Sequence, residues 1–129
     1  MAEIIWLLEE TVRAVHSRQI SEHGGRPGIR DEGLLLSALA RPQNLAAHGD
    51  PSPDLAALAA SYAYSIARNH PFIDSNKMVA LVAARTFLLI HGADLVASQE
   101  EKYITFLRLA EGHLSEEDLK EWIRAHIKQ

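Results

Sequence analysis

The chain has 129 residues, enough for one domain that buries about two-thirds of the surface its unfolded form exposes. At 47% hydrophobic and 23% charged, it has the composition of a folded globular protein and not of a disordered one. Its net charge of −4, from 13 basic and 17 acidic residues, argues against broad binding to the DNA backbone, and the absence of cysteine excludes disulfides, thiolate metal sites and cysteine nucleophiles.

The apolar pattern is helical nearly throughout. Ile4, Ile5, Leu7, Leu8, Val12 and Val15 recur at spacings of three and four and predict an amphipathic helix over 2–17. Three glycines and a proline in 21–28 predict a loop. Asp31 is placed to cap a short second helix that runs to about Ala40 and is ended by Pro42. After a break at 48–53, Asp54 opens an alanine-rich third helix to about Asn69, and Pro71 stops it by disfavouring helical geometry at His70. A fourth helix is predicted over 76–91, with Gly92 as its stop. Leu95-Val96-Ala97 reads as extended. Ser98 with Glu101 fits a capping box for a fifth helix to about Glu111, and Ser115 with Asp118 opens a sixth to the C-terminus. The expected architecture is one all-α domain over 1–129, a bundle of about six helices with the third and fourth as its central hairpin.

The longest apolar-rich stretches, 55–67 and 79–90, fall short of the roughly 20 residues a membrane-spanning helix needs. Glu3 stands where a signal peptide would carry positive charge, so the expected location is the cytoplasm.

One segment is too rich in chemistry for a simple turn. Residues 68–77, Arg-Asn-His-Pro-Phe-Ile-Asp-Ser-Asn-Lys, join the two most apolar helices. They run into a helix N-terminus, where free N–H groups and the dipole make an anion site. Lys77 is a cation at the end of a helix that disfavours one, unless an anion joins it. Asn76 offers an amide donor, and Asp74 is suited to magnesium or to orienting a hydroxyl. His70 is the natural general base, because an imidazole ordinarily titrates at about pH 6.5. These groups fit phosphate handling and attack by a hydroxyl on phosphorus. The same residues also admit a plainer reading, in which 74–76 is a helix cap, His70 bonds backbone at a helix end and Phe72 anchors the core.

His70-Pro71-Phe72-Ile73-Asp74-Ser75-Asn76-Lys77 resembles the signature loop of Fic-fold proteins, HPFx(D/E)(G/A)N(G/K)R. The lysine resembles the death-on-curing (Doc) branch, as do His23 to Asp31 and the Leu35 to Pro42 region. The resemblance implies a toxin of a toxin–antitoxin pair that uses ATP and Mg2+ to phosphorylate a hydroxyl of elongation factor Tu and so halts translation. It implies His70 as the base, Asp74 as the holder of magnesium or of the hydroxyl, and Arg68, Ser75, Asn76 and Lys77 on the phosphates. It also implies a cognate antitoxin whose disordered C-terminal segment folds as a helix on the domain. The inhibitory pattern (S/T)xxxE(G/N) of many Fic proteins is missing, since Leu107 precedes the Glu111-Gly112 pair where Ser or Thr would stand.

The chain departs from the pattern at Met78, which replaces the motif arginine and removes a rigid fork of phosphate donors. An attenuated toxin is therefore expected. The alternatives are an AMP-transferring Fic enzyme and a weak Fic-fold module that mainly binds its antitoxin. His16 reads as a dipole partner at a helix C-terminus, and Trp6 and Trp122 as core residues; the 24–28 loop reads as a tight structural turn, while the resemblance implies as the alternative that it lies over the active site and helps hold the target protein.

Overall fold

The computed structural model describes residues 3–129. Among these, six helices follow in order: α1 (Glu9–His23), α2 (Glu32–His48), α3 (Leu55–Asn69), α4 (Asn76–Ile90), α5 (Gln99–Ala110) and α6 (Glu116–His126). The all-α expectation holds. Two short strands, β1 (Asp94–Leu95) and β2 (Ile127–Lys128), pair antiparallel with Asp94 opposite Lys128. No helix among the described residues is long and apolar enough to cross a membrane.

Four helices begin where the sequence places a capping side chain. Asp31 accepts from the Leu34 N–H, Asp54 from Ala57, Ser98 from Glu101 and Ser115 from Asp118. Each cap satisfies a first-turn donor that has no partner inside the helix. The Ser98–Glu101 capping box forms in both directions.

The centre of the bundle is α3, which packs against α2, α4 and α6 and has eleven of its fifteen residues buried. Six of those eleven are alanine, and α4 adds Ala80, Ala83 and Ala84. The α3–α4 pair is the most extensive packing in the molecule, as the apolar content of the two segments predicts. Tyr62, Ile66, Phe87 and Leu88 fill the space around the alanines.

Three expected helices have other bounds. The first runs from Glu9 to His23 and not over 2–17, so it takes in the first residues of the expected 21–28 loop, and Ala2 lies outside the described residues. Residues 3–8 stay out of the helix, with donors bonded elsewhere: the Ile5 N–H donates to His91 Nε2 and the Leu7 N–H to the Tyr62 hydroxyl. The second helix continues through Pro42 to His48. Proline there leaves the Ala38 carbonyl without its usual donor, but Pro42, Leu35, Ala38 and Leu39 are buried together, and that packing outweighs the lost bond. The sixth helix ends at His126, where the chain becomes β2 and the His126 carbonyl accepts from the Val96 N–H.

Candidate active site

The loop from His70 to Ser75 joins the central helices. Its two ends hold the only non-glycine residues with positive φ among those described: His70 (φ 47°, ψ 55°) and Ser75 (φ 67°, ψ 22°). The left-handed region is costly for residues with a side chain and persists only where surrounding contacts impose it. Pro71 disfavours right-handed helical geometry at His70 but favours an extended one, so it does not by itself set the left-handed turn. His70 is exposed to solvent.

Between these ends the loop is clamped from inside. Phe72 is 1% exposed, as expected of a core anchor. The Asn76 amide grips its backbone twice, with Oδ1 accepting from the Phe72 N–H at 3.0 Å and Nδ2 donating to the Phe72 carbonyl at 2.9 Å. Asn76 therefore organises the loop and keeps one amide hydrogen for other partners.

His16 clamps the loop from below. It lies in mid-helix on α1, 5% exposed, not at the helix end where the sequence reading put it. Its ring stacks on Phe72, with centroids 4.1 Å apart and planes 10° apart. Its Nε2–H donates to the Asp74 carbonyl at 3.1 Å. Burial pushes the His16 pKa below the ordinary imidazole value, which keeps the ring neutral in this position.

The glycine-rich segment is more than a tight turn. Ile29 forms an antiparallel bridge with Phe72, and the Ile73 N–H donates to the Gly28 carbonyl. The segment lies along the loop as a flap. Asp74 fastens the two together: Oδ2 accepts from the Arg26 N–H at 3.1 Å and Oδ1 from the Ser75 N–H at 2.8 Å. These two N–H donors, Arg26 first, hold the Asp74 carboxyl below its usual pKa and keep it ionised. Gly25 (φ 118°) sits so close that a Cβ there would come within 3.0 Å of the Asp74 carboxylate.

Ser75 is the N-cap of α4, yet its side chain makes no capping bond, so the first-turn N–H groups of this helix are not taken by a side-chain oxygen. Lys77 stands in that turn with Nζ 4.3 Å from the centroid of the Tyr103 ring on α5. A cation–π contact of this kind offsets the poor placement of a cation at a helix N-terminus. His70, Asp74, Ser75, Asn76 and Lys77 are thus carried by one stretch of backbone, the loop and the first turn of α4. Arg68 does not join them: its guanidinium lies over the Tyr64 ring and beside Gly112.

Met78 is exposed on α4 and lines a cavity of about 420 Å3 with Gln19, Leu81, Val82 and Lys102. Arg85 is held at 2.9 and 3.2 Å by the Asp94 carboxylate, so it does not replace the missing arginine. Among the described residues no three His, Asp or Glu side chains gather as a metal cage. A single ionised carboxylate fits magnesium only when phosphate oxygens and waters complete the shell.

Sequence reasoning missed the contributions of His16, Arg26, Arg30 and Tyr103. The one available signal was the run of glycines before Arg30, which marks backbone that must approach another segment closely.

Residues 6–88 match the Fic/DOC family. Over 115 residues the chain is 33% identical to the protein named Protein kinase doc of Escherichia phage P1, an alignment covering 89% of this chain and 90% of that one. Over 74 residues it is 47% identical to Toxin Doc of Mycolicibacterium smegmatis, covering 57% of each protein.

Proposed function

The chain belongs to the Fic/DOC family, and from that premise we propose that it is a Doc-type toxin that transfers the γ-phosphate of ATP to a hydroxyl of elongation factor Tu. The observation that carries this reading is the uncapped N-terminus of α4 with Lys77 in its first turn, on a loop that also carries His70 and an ionised Asp74. Such a stretch combines an anion cradle, a base and a carboxylate, the minimum for phosphoryl transfer by positioning and charge stabilisation.

Bound magnesium-ATP supplies the phosphoryl group and ADP as the leaving group. His70 takes the proton of the acceptor hydroxyl as its oxygen bonds to phosphorus. Asp74 holds magnesium or orients the hydroxyl. The free α4 N–H groups, Ser75, Lys77 and the spare Asn76 hydrogen bind phosphate oxygens. Arg68 would have to leave the Tyr64 ring to join them. Blocked translation follows from the modified factor. A cognate antitoxin restrains the enzyme in the cytoplasm.

Met78 supports a second reading, a weak Fic-fold module that mainly binds its antitoxin, because methionine offers phosphate no donor. The test is phosphate transfer from γ-labelled ATP to purified elongation factor Tu, with His70→Ala and Met78→Arg run in parallel. Transfer by the parent that His70→Ala abolishes supports the kinase. A gain on the order of a hundredfold in Met78→Arg matches restoration of one charged transition-state contact. Label carried from the α-phosphate instead would mean AMP transfer. No transfer by any variant would leave the antitoxin-binding reading.

A further inference from the structure

The left-handed turn at His70 needs an external cause, and the contacts around it identify one. A helix end leaves its last carbonyls without donors. At the end of α3, three consecutive carbonyls are taken by two consecutive residues of the flap. Arg30 Nη2 donates to the Asn69 carbonyl at 2.7 Å, and Arg30 Nε donates to the His70 carbonyl at 2.6 Å. The N–H groups of Arg30 and Asp31 both donate to the Pro71 carbonyl, at 2.7 and 3.1 Å. On its other side the His70 N–H donates to the Ile66 carbonyl at 3.2 Å. Both peptide groups flanking His70 are therefore held.

The holder is itself anchored. Asp31 is the N-cap of α2, and the Asn69 side chain donates to the Leu34 carbonyl in the first turn of that helix. Arg30 is thus fixed to the start of α2 while its guanidinium closes the end of α3. A positive charge there also suits the negative end of the α3 dipole. The planar fork matters: two donors at fixed spacing meet two successive carbonyls, which a lysine ammonium cannot match.

We propose that Arg30 is a positioning residue for the reaction, holding His70 in the left-handed conformation from which its imidazole meets the acceptor hydroxyl. This rests on the reading of His70 as the base. It predicts that the effect of losing Arg30 falls on turnover and not on nucleotide binding, because no contact of Arg30 reaches the α4 N-terminus.

The experiment compares Arg30→Ala and Arg30→Lys with the parent and with Asp31→Ala, which loosens the α2 cap while keeping the backbone bonds to Pro71. Melting temperature, kcat, KM for ATP and the backbone chemical shifts of His70 are measured for each. Arg30→Ala is expected to move the His70 shifts out of the left-handed range and to lower kcat on the order of a hundredfold, with KM changed less than about twofold. Arg30→Lys should fail to restore kcat, and methylguanidinium added to Arg30→Ala should restore part of it. Unchanged His70 shifts in Arg30→Ala overturn the proposal, and this readout needs no turnover. An equal kcat loss in Asp31→Ala also overturns it, because the effect would then follow stability. If His70→Ala transfers phosphate as well as the parent, the functional reading fails instead.

Discussion

The two ends of α3 are built on opposite principles. At the N-terminal end, Asp54 follows a proline and caps the helix through the Ala57 N–H, and Arg124 braces it with bonds of 2.9 and 3.1 Å to the two carboxylate oxygens. A cavity of about 600 Å3 lies beside this end, but its Arg41 and Arg124 are already paired with Glu116 and Asp54. Every local preference there agrees with the structure. At the C-terminal end the position that usually takes glycine holds a histidine, and a separate segment enforces its conformation. The first end is arranged for stability. The second departs from local preference, and that departure falls where the chemistry is proposed.

Substitution at His70 breaks the comparison most sharply. Both His70→Ala and His70→Gly should lose on the order of a hundredfold to ten-thousandfold in phosphate transfer. Their stabilities should diverge, because glycine accepts the left-handed turn and alanine does not. His70→Gly should be the more stable by about 1 kcal/mol, read from paired thermal melts. Equal melting temperatures would remove strain from the account of this end.

Asn76→Ala should act on stability and activity together. It leaves the N–H and carbonyl of Phe72 without their partners, a cost of about 1–3 kcal/mol in urea denaturation. Transfer should fall as well, since the same amide sets the loop. A variant that lost stability but kept full transfer would contradict the description of Asn76 as loop organiser.

Asp54→Ala sharpens the contrast from the other side. Loss of the cap should cost about 1 kcal/mol, and the transfer rate per folded molecule should not change. The smallest effect concerns pH. The Arg124 guanidinium, then the Ala57 N–H, hold the Asp54 carboxyl below the usual carboxylate range. The unfolded chain therefore takes up this proton first as pH falls. The Asp54 contribution is complete above the unfolded carboxylate pKa and is lost as pH drops through the lower folded value. Denaturant midpoints between neutral and acid pH should fall less steeply in Asp54→Asn than in the parent.

These differences also explain what could be read from sequence. Asp31, Asp54, Ser98 and Ser115 were legible because a cap and its target lie three residues apart. The 70–77 stretch was legible because its chemistry is contiguous in the chain. The start of α1 was not: Ile4 to Leu8 carry helical spacing, yet their donors go to Tyr62 and His91, 55 and 86 residues away. Pro42 misled for a related reason, since its cost is local and the packing that offsets it is not. His16 and Arg30 act on the loop from 58 and 40 residues away, so no local pattern could assign them to it.

The alanines of α3 and α4 bear on how the site can change. An alanine loses no rotamer freedom when it is buried, so the platform beneath the loop is stiff without the ordering cost that leucines would add. The same economy leaves no slack: a larger side chain in that seam would force helices apart, and the loop spans them. Adaptation of this protein to new acceptors or inhibitors must therefore come from the flap and the loop surface, while the seam stays closed to variation.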